Sequence, residues 1–128
     1  MPAIGDLFWL RKPFGSIYKI FDIKTYWIPN DRNSGRVNLS EAPTDLENYW
    51  VSRIYYYTLY SNSSGKIVNG SEPIHCGERF VVPFDKQKLL DFHQVKIDKL
   101  QSLPELTDKQ SKELEKLISS VDNVTKNL

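Results

Sequence analysis

Cysteine occurs once in this chain, at Cys76, alanine only at Ala3 and Ala42, and glycine not at all after Gly77. A single cysteine excludes an intramolecular disulfide and leans the expected compartment toward reducing conditions. Charge of either sign is not in excess: 17 basic residues face 16 acidic ones, a formal net charge of +1. That near-balance excludes a whole-protein field able to recruit nucleic acid or an anionic membrane, and it argues against an acidic mimic of DNA. No apolar run reaches the roughly 18 residues that span a bilayer, so no membrane partner is expected. The opening "MPAIGDLFWLRKPFG" lacks a basic region followed by a continuous apolar run. It reads as a first strand rather than a signal peptide, and the expected location is cytoplasmic. Sequons begin at Asn38, Asn62, Asn69 and Asn123; an Asn- and Ser-rich chain accounts for them without secretion.

What is there is aromatic and unevenly placed. Fifteen of the sixteen aromatic residues lie between Phe8 and Phe84. The chain changes character at "VVPFD", Val81–Asp85, beyond which no glycine and only Pro104 interrupt it. This divides the chain into a β-rich body, 1–83, and a helical tail, 84–128, forming one structural domain. Scarce alanine beside plentiful Ile, Lys, Asn, Tyr and Phe suggests A/T-rich codons, hence a bacterium or a phage, and for a phage product the host cytoplasm.

In the body, "GDLFWLRK" predicts a first strand, "KPFG" a turn, and "SIYKIFDIKTYWIP" a long second strand. The odd positions Ile17, Phe21, Ile23 and Trp27 are its apolar face, with Asp22, Lys24 and Tyr26 opposite. Pro29 lacks the N–H that would continue the ladder. "NDRNSGR" predicts a loop, "VNLSE" a weak strand, and "PTDLENY" a loop or single helical turn. "NYWVSRIYYYTLYSNSSGKIV" is the central strand, because β-branched and aromatic side chains suit a pleated, half-buried surface. Asn69-Gly70 supplies the positive φ angles of a type I′ turn between "KIV" and "PIHC", and "ERFVV" closes the body.

The tail predicts a two-helix hairpin. Asp85 caps the first helix, Leu89, Phe92 or His93, Ile97, Leu100 and Leu103 form one stripe, and Thr107 with Gln110 restarts helix as a capping box. Leu114, Leu117, Val121, Val124 and Leu128 form a second stripe, suited to docking on the sheet or to self-association. The expected fold class is therefore α+β: a small antiparallel β-barrel or strongly curved sheet followed by a C-terminal helical hairpin. The "GD-apolar-x-apolar" opening, over Ile4–Ile28, resembles the small SH3-like barrels, in which a Gly-Asp turn leads into the first strand. That resemblance implies architecture only, since such folds host many functions.

Catalytic parts are few. His75 and Cys76 are adjacent on an expected strand, so their side chains leave opposite faces and cannot easily share a metal or act as base and nucleophile. "NSSGK" lacks the first glycine and the strand–loop–helix setting of a phosphate loop. No cofactor, metal or enzymatic activity is expected.

The aromatic run falls into two alternating sets, and neither is a clean polar face. Tyrosine is awkward in a dry core because its hydroxyl needs a partner, whereas Tyr, Trp and Arg dominate binding hot spots. Arg53, Tyr55 and Tyr57 are therefore the candidate contact residues, with Lys24 and Tyr26 alongside, and Trp50, Ile54 and Tyr56 are assigned to the core. The expected function is a non-enzymatic binding protein acting on another protein or protein complex, as a phage or mobile-element inhibitor of a host defence complex or a small virion component. A nucleic-acid- or nucleotide-binding module using an aromatic and basic sheet face is the alternative.

Overall fold

The computed structural model describes residues 2–68, 70 and 73–128. In chain order it contains β1 (Leu7–Leu10), β2 (Ile17–Pro29), a 3-10 turn (Leu46–Asn48), β3 (Tyr49–Ser61) and β4 (Ile74–Gly77). A second 3-10 turn (Glu78–Phe80), β5 (Val81–Pro83), α1 (Lys86–Gln101) and α2 (Asp108–Asn127) follow. The strands form one antiparallel sheet in the order β4-β3-β2-β1-β5.

That order forces curvature. Edge strands of a flat five-stranded sheet lie about 19 Å apart, at about 4.8 Å per step. β4 and β5 are the two edges, yet only Glu78–Phe80 joins them. The four residue steps from Gly77 to Val81 reach about 14 Å at full extension, and the 3-10 turn shortens them further. The edges are drawn toward each other without pairing among the described residues, so the sheet curls and stops short of a closed barrel.

The inner face of the curl is filled by Phe8, Ile20, Tyr55 and Tyr57, with Leu10, Tyr18, Ile23, Cys76 and Val81 packed around them. Phe8 and Tyr57 meet edge to face at 5.2 Å. The outer face is covered at its β1 end. There Trp9 and Ile17 bury against Leu89 of α1 and Val124 of α2, ringed by Phe14, Phe84 and Phe92. Body and tail thus share a core, and each fully buried side chain of this size contributes about 1.5–3 kcal/mol.

The helices begin as their sequence predicts. Asp85 accepts the Lys88 N–H at 3.1 Å, and Thr107 and Gln110 form a reciprocal capping box. Within the chain the helical stripes bury Leu89, Ile97 and Val124, while Leu103 stays exposed.

Three expectations are corrected. The odd-position face of β2 does not persist, because the register shift at Ile20/Asp22 inserts Phe21 into β2, while the one at Ile17/Tyr18 inserts Tyr60 into β3. Such bulges reset the alternation: Ile20 is buried, and Phe21 turns out, 46% exposed. "VNLSE" contributes only an isolated bridge from Leu39 to Trp27. β4 pairs with β3 rather than with "KIV", while Asn69 of the expected type I′ turn lies outside the described residues.

Candidate functional site

The aromatic run is β3, and its register decides which rings are accessible. Tyr55 sits opposite Ile23 of β2 and Cys76 of β4, and Tyr57 opposite Ile20 and Ile74. Both therefore point into the curl, at 0% and 4% exposure. This reverses the sequence reading of Tyr55 and Tyr57 as contact residues. The strongly curved sheet needs bulky rings to fill its interior, and tyrosine supplies them.

Arg53 shares their face but lies at its open rim. Its guanidinium is 3.5 Å from the Glu78 carboxylate and 29% exposed, so an arginine beside tyrosines never has to be dry. The Tyr55 hydroxyl is buried near the Glu78 carboxylate without a hydrogen bond of standard geometry to it. Burial pushes it above the ordinary tyrosine value, and the Glu78 carboxylate adds to that. Tyr57 is raised by burial first and by Cys76 second.

Lys24 and Tyr26 are on the other side. They sit opposite Ile54 and Ser52, which puts them on the outer face with Tyr56 and away from Arg53. The five residues singled out from sequence are thus split between two faces. On the outer face the Lys24 ammonium lies 5.0 Å from the Tyr56 ring centre, with Phe21 at 6.2 Å and His75 at 5.6 Å around the same ring. Lys19 lies over Tyr60 at 5.2 Å. Trp50, expected in the core, is 50% exposed, because the helices cover the outer face only around Trp9 and Ile17, at the opposite end of the β2–β3 ladder.

Phe21 and Trp50 were the residues that sequence reasoning missed. For Phe21 the available signal was Ile20: an apolar residue directly before it, on the face that strict alternation gives to Asp22 and Lys24, is a hint of a bulge. For Trp50 no local signal exists, since its exposure depends on where the helices dock.

His75 and Cys76 leave opposite faces as their adjacency requires: His75 lies against Tyr56 outside, and Cys76 packs within the inner core. Burial raises the Cys76 thiol, opposed by Arg11. His93 is buried on α1, and its Nε2 lies 2.9 Å from the Ser63 carbonyl, tying α1 to the turn after β3. Among the described residues no group of three or more His, Cys, Asp or Glu is placed to hold a metal ion. No helix there is long and apolar enough to cross a membrane. Compared with protein-family models, with curated proteins and with solved structures, the chain matches none.

Proposed function

We infer that this is a non-enzymatic binding protein that works through contact with another protein or protein complex, using the outer face of β2, β3 and β4. The observation that carries this is the pair of large rings outside the core, Phe21 and Tyr56 at 6.2 Å, beside the Lys24 ammonium, with Trp50 exposed farther along the same face of β3. Contiguous apolar surface of this kind marks interaction sites, and tyrosine and tryptophan bury a large rigid area while keeping a wet end. Lys24 and Tyr26 remain in the site; Tyr56, Phe21 and Trp50 replace Tyr55 and Tyr57. The Gly5–Asp6 turn, with Gly5 at φ +93, leads into a curled, unclosed five-stranded sheet and supports an SH3-like reading of how the body begins. The A/T-biased composition supports a phage or mobile-element product in a host cytoplasm, where an inhibitor of a defence complex or a small virion component suits the size.

The test is affinity capture of the partner from the native host, followed by binding of Phe21→Ala and Tyr56→Ala. Both variants are expected to melt within a few degrees of the wild type and to bind about 10-fold more weakly or worse. Unchanged binding by both variants overturns this assignment of the face.

A second reading is favoured by one specific feature, the seating of Lys19 and Lys24 over Tyr60 and Tyr56. Single-strand binders combine stacking rings with cations along the backbone track. A salt titration with single-stranded DNA and RNA separates the readings, because phosphate contacts impose a steep loss of affinity with salt.

A further inference from the structure

A groove between α1 and the turn joining β1 to β2 is lined by the apolar Phe14, Phe92 and Val95 and by the charged Lys88, Asp91 and Lys96. Its volume of about 360 Å³ lies at the low end of ligand sites, about 300–1,000 Å³. That is room for one large side chain rather than a whole cofactor. Phe14 is held there under strain. Its φ of +72 is a left-handed conformation that a bulky residue rarely adopts, and such strain concentrates at binding sites. What the strain secures is a stack of Phe14 on Phe92, with ring centres 4.1 Å apart and planes 5° from parallel. Val95 beside them is 68% exposed.

The charges around these rings are unbalanced, two ammoniums against one carboxylate. The Lys88 Nζ lies 5.9 Å from the Phe14 ring centre and the Lys96 Nζ 4.2 Å from that of Phe92. No ion pair among the described residues uses either ammonium. The carboxylates of α1 hold glutamines instead: Asp91 accepts from Gln87 Nε2 at 2.9 Å, and Asp98 from Gln94 Nε2 at 2.8 Å. One face of the Phe92 ring is taken by Phe14 and the other by Lys96. A nucleobase, which needs an open ring face to stack, finds none on Phe92. The ring edges that remain are the positive part of the quadrupole, so the groove presents apolar surface inside a positive frame.

We propose that this groove binds an acidic linear segment of a partner protein, with an apolar side chain set between two carboxylates. The spacing of the lysines selects the motif. Lys88 and Lys96 are eight residues apart on α1, about 12 Å at 1.5 Å per residue. In an extended segment the first, third and fifth residues leave the same face and span about 13 Å. A segment of the form Glu-x-Phe-x-Glu therefore brings its carboxylates to the two ammoniums and its ring to Phe14, Phe92 and Val95. Drawing each ammonium from a ring to a carboxylate costs little, because an exposed cation–π contact is weak. The groove shares no residue with the face of Phe21 and Tyr56, so either site can fail without the other.

An amide NMR titration of the full chain with the end-capped peptide Glu-Ser-Phe-Ser-Glu tests this, with Lys-Ser-Phe-Ser-Lys and Glu-Ser-Ser-Ser-Glu as controls. The acidic peptide is expected to shift the amides of Phe14, Phe92 and Val95 with a dissociation constant on the order of 100 µM. Each control should bind about 10-fold more weakly or worse. The double variant Lys88→Glu, Lys96→Glu changes two exposed positions, so it should melt within a few degrees of the wild type and prefer the lysine peptide. If it does not fold, Val95→Asp reads the same groove and should weaken the acidic peptide about 10-fold or more. The proposal is overturned by an absence of shifts up to about 2 mM peptide, by shifts confined to other residues, or by controls or variants that bind as the parent pair does. Saturable binding of oligothymidylate at these residues in place of the peptide overturns it as well.

Discussion

Asn127, one residue from the chain end, donates its side-chain amide to the Gly65 carbonyl at 3.0 Å. The contact pins the end of α2 to the turn that follows β3. Gly65 itself holds a φ of +78, and a Cβ built there would lie 2.5 Å from the Val124 nitrogen. The turn is shaped by Asn62, whose side-chain oxygen accepts from the N–H groups of Ser64 and Lys66. Helix backbone and loop backbone touch here because glycine leaves the space.

Gly65→Ala should therefore be among the more damaging single-methyl additions in the chain. It combines a left-handed backbone with a clash against helix backbone that cannot rotate away. A loss of about 2 kcal/mol or more is expected in denaturant unfolding. A variant as stable as the wild type would mean that α2 can slide off the turn at little cost.

Tyr55→Ala and Tyr57→Ala should each cost about 3–5 kcal/mol, as truncation of a large buried ring does. Trp50→Ala, on the exposed side of the same strand, should cost about 1 kcal/mol or less. Thermal melting of the three variants gives the comparison. Equal losses at Trp50 and Tyr55 would be incompatible with the observed division of faces.

Removal of the tail, leaving 1–83, should give an aggregated or molten product. Trp9 and Ile17 would lose Leu89, Phe92 and Val124 and stand exposed on the sheet. Far-ultraviolet circular dichroism with dye binding reports this. A soluble fragment with a cooperative melt would show that the sheet is sufficient alone.

Stability should also fall at high pH. Burial raises Tyr55, Tyr57 and Cys76 above their ordinary values, so the unfolded chain releases these protons first. Each group contributes stability that is complete below its ordinary value, about 8.5 for cysteine and about 10 for tyrosine, and that is lost as pH rises through the raised one. Denaturant midpoints should be flat through neutrality and fall above about pH 9. Tyr55→Phe should lessen the decline while keeping the ring, and a flat profile to about pH 11 would contradict the assignment.

Much of the fold was legible because it depends on local chemistry. The long β2, the Asp85 cap, the Thr107 box and the break at Pro104 are each encoded within a few residues. The candidate site was not, because it depends on register between distant segments. One bulge in β2 and one in β3 shift which side chains share a face, and the helices' docking at the β1 end leaves Trp50 bare. Arg53 misled for a definable reason: an arginine next to tyrosines suggests a wet face, but it sits at the rim of a dry one. Lys24 and Tyr26 were correctly expected on the side away from Trp27, and the error lay in joining them to Arg53.

The three-residue link between β4 and β5 also sets an order of events in folding. β2 and β3 pair as one antiparallel ladder, but β1 gains its second neighbour only when Val81–Pro83 returns from far along the chain. Closing so large a loop carries an entropy cost that is recovered only once contacts form. β5 therefore docks late, and until then the β1 edge stays open to pairing with other chains. Val82→Ala should accordingly speed unfolding and leave the folding rate nearly unchanged, a φ-value near zero; a value near one would make β5 part of the nucleus.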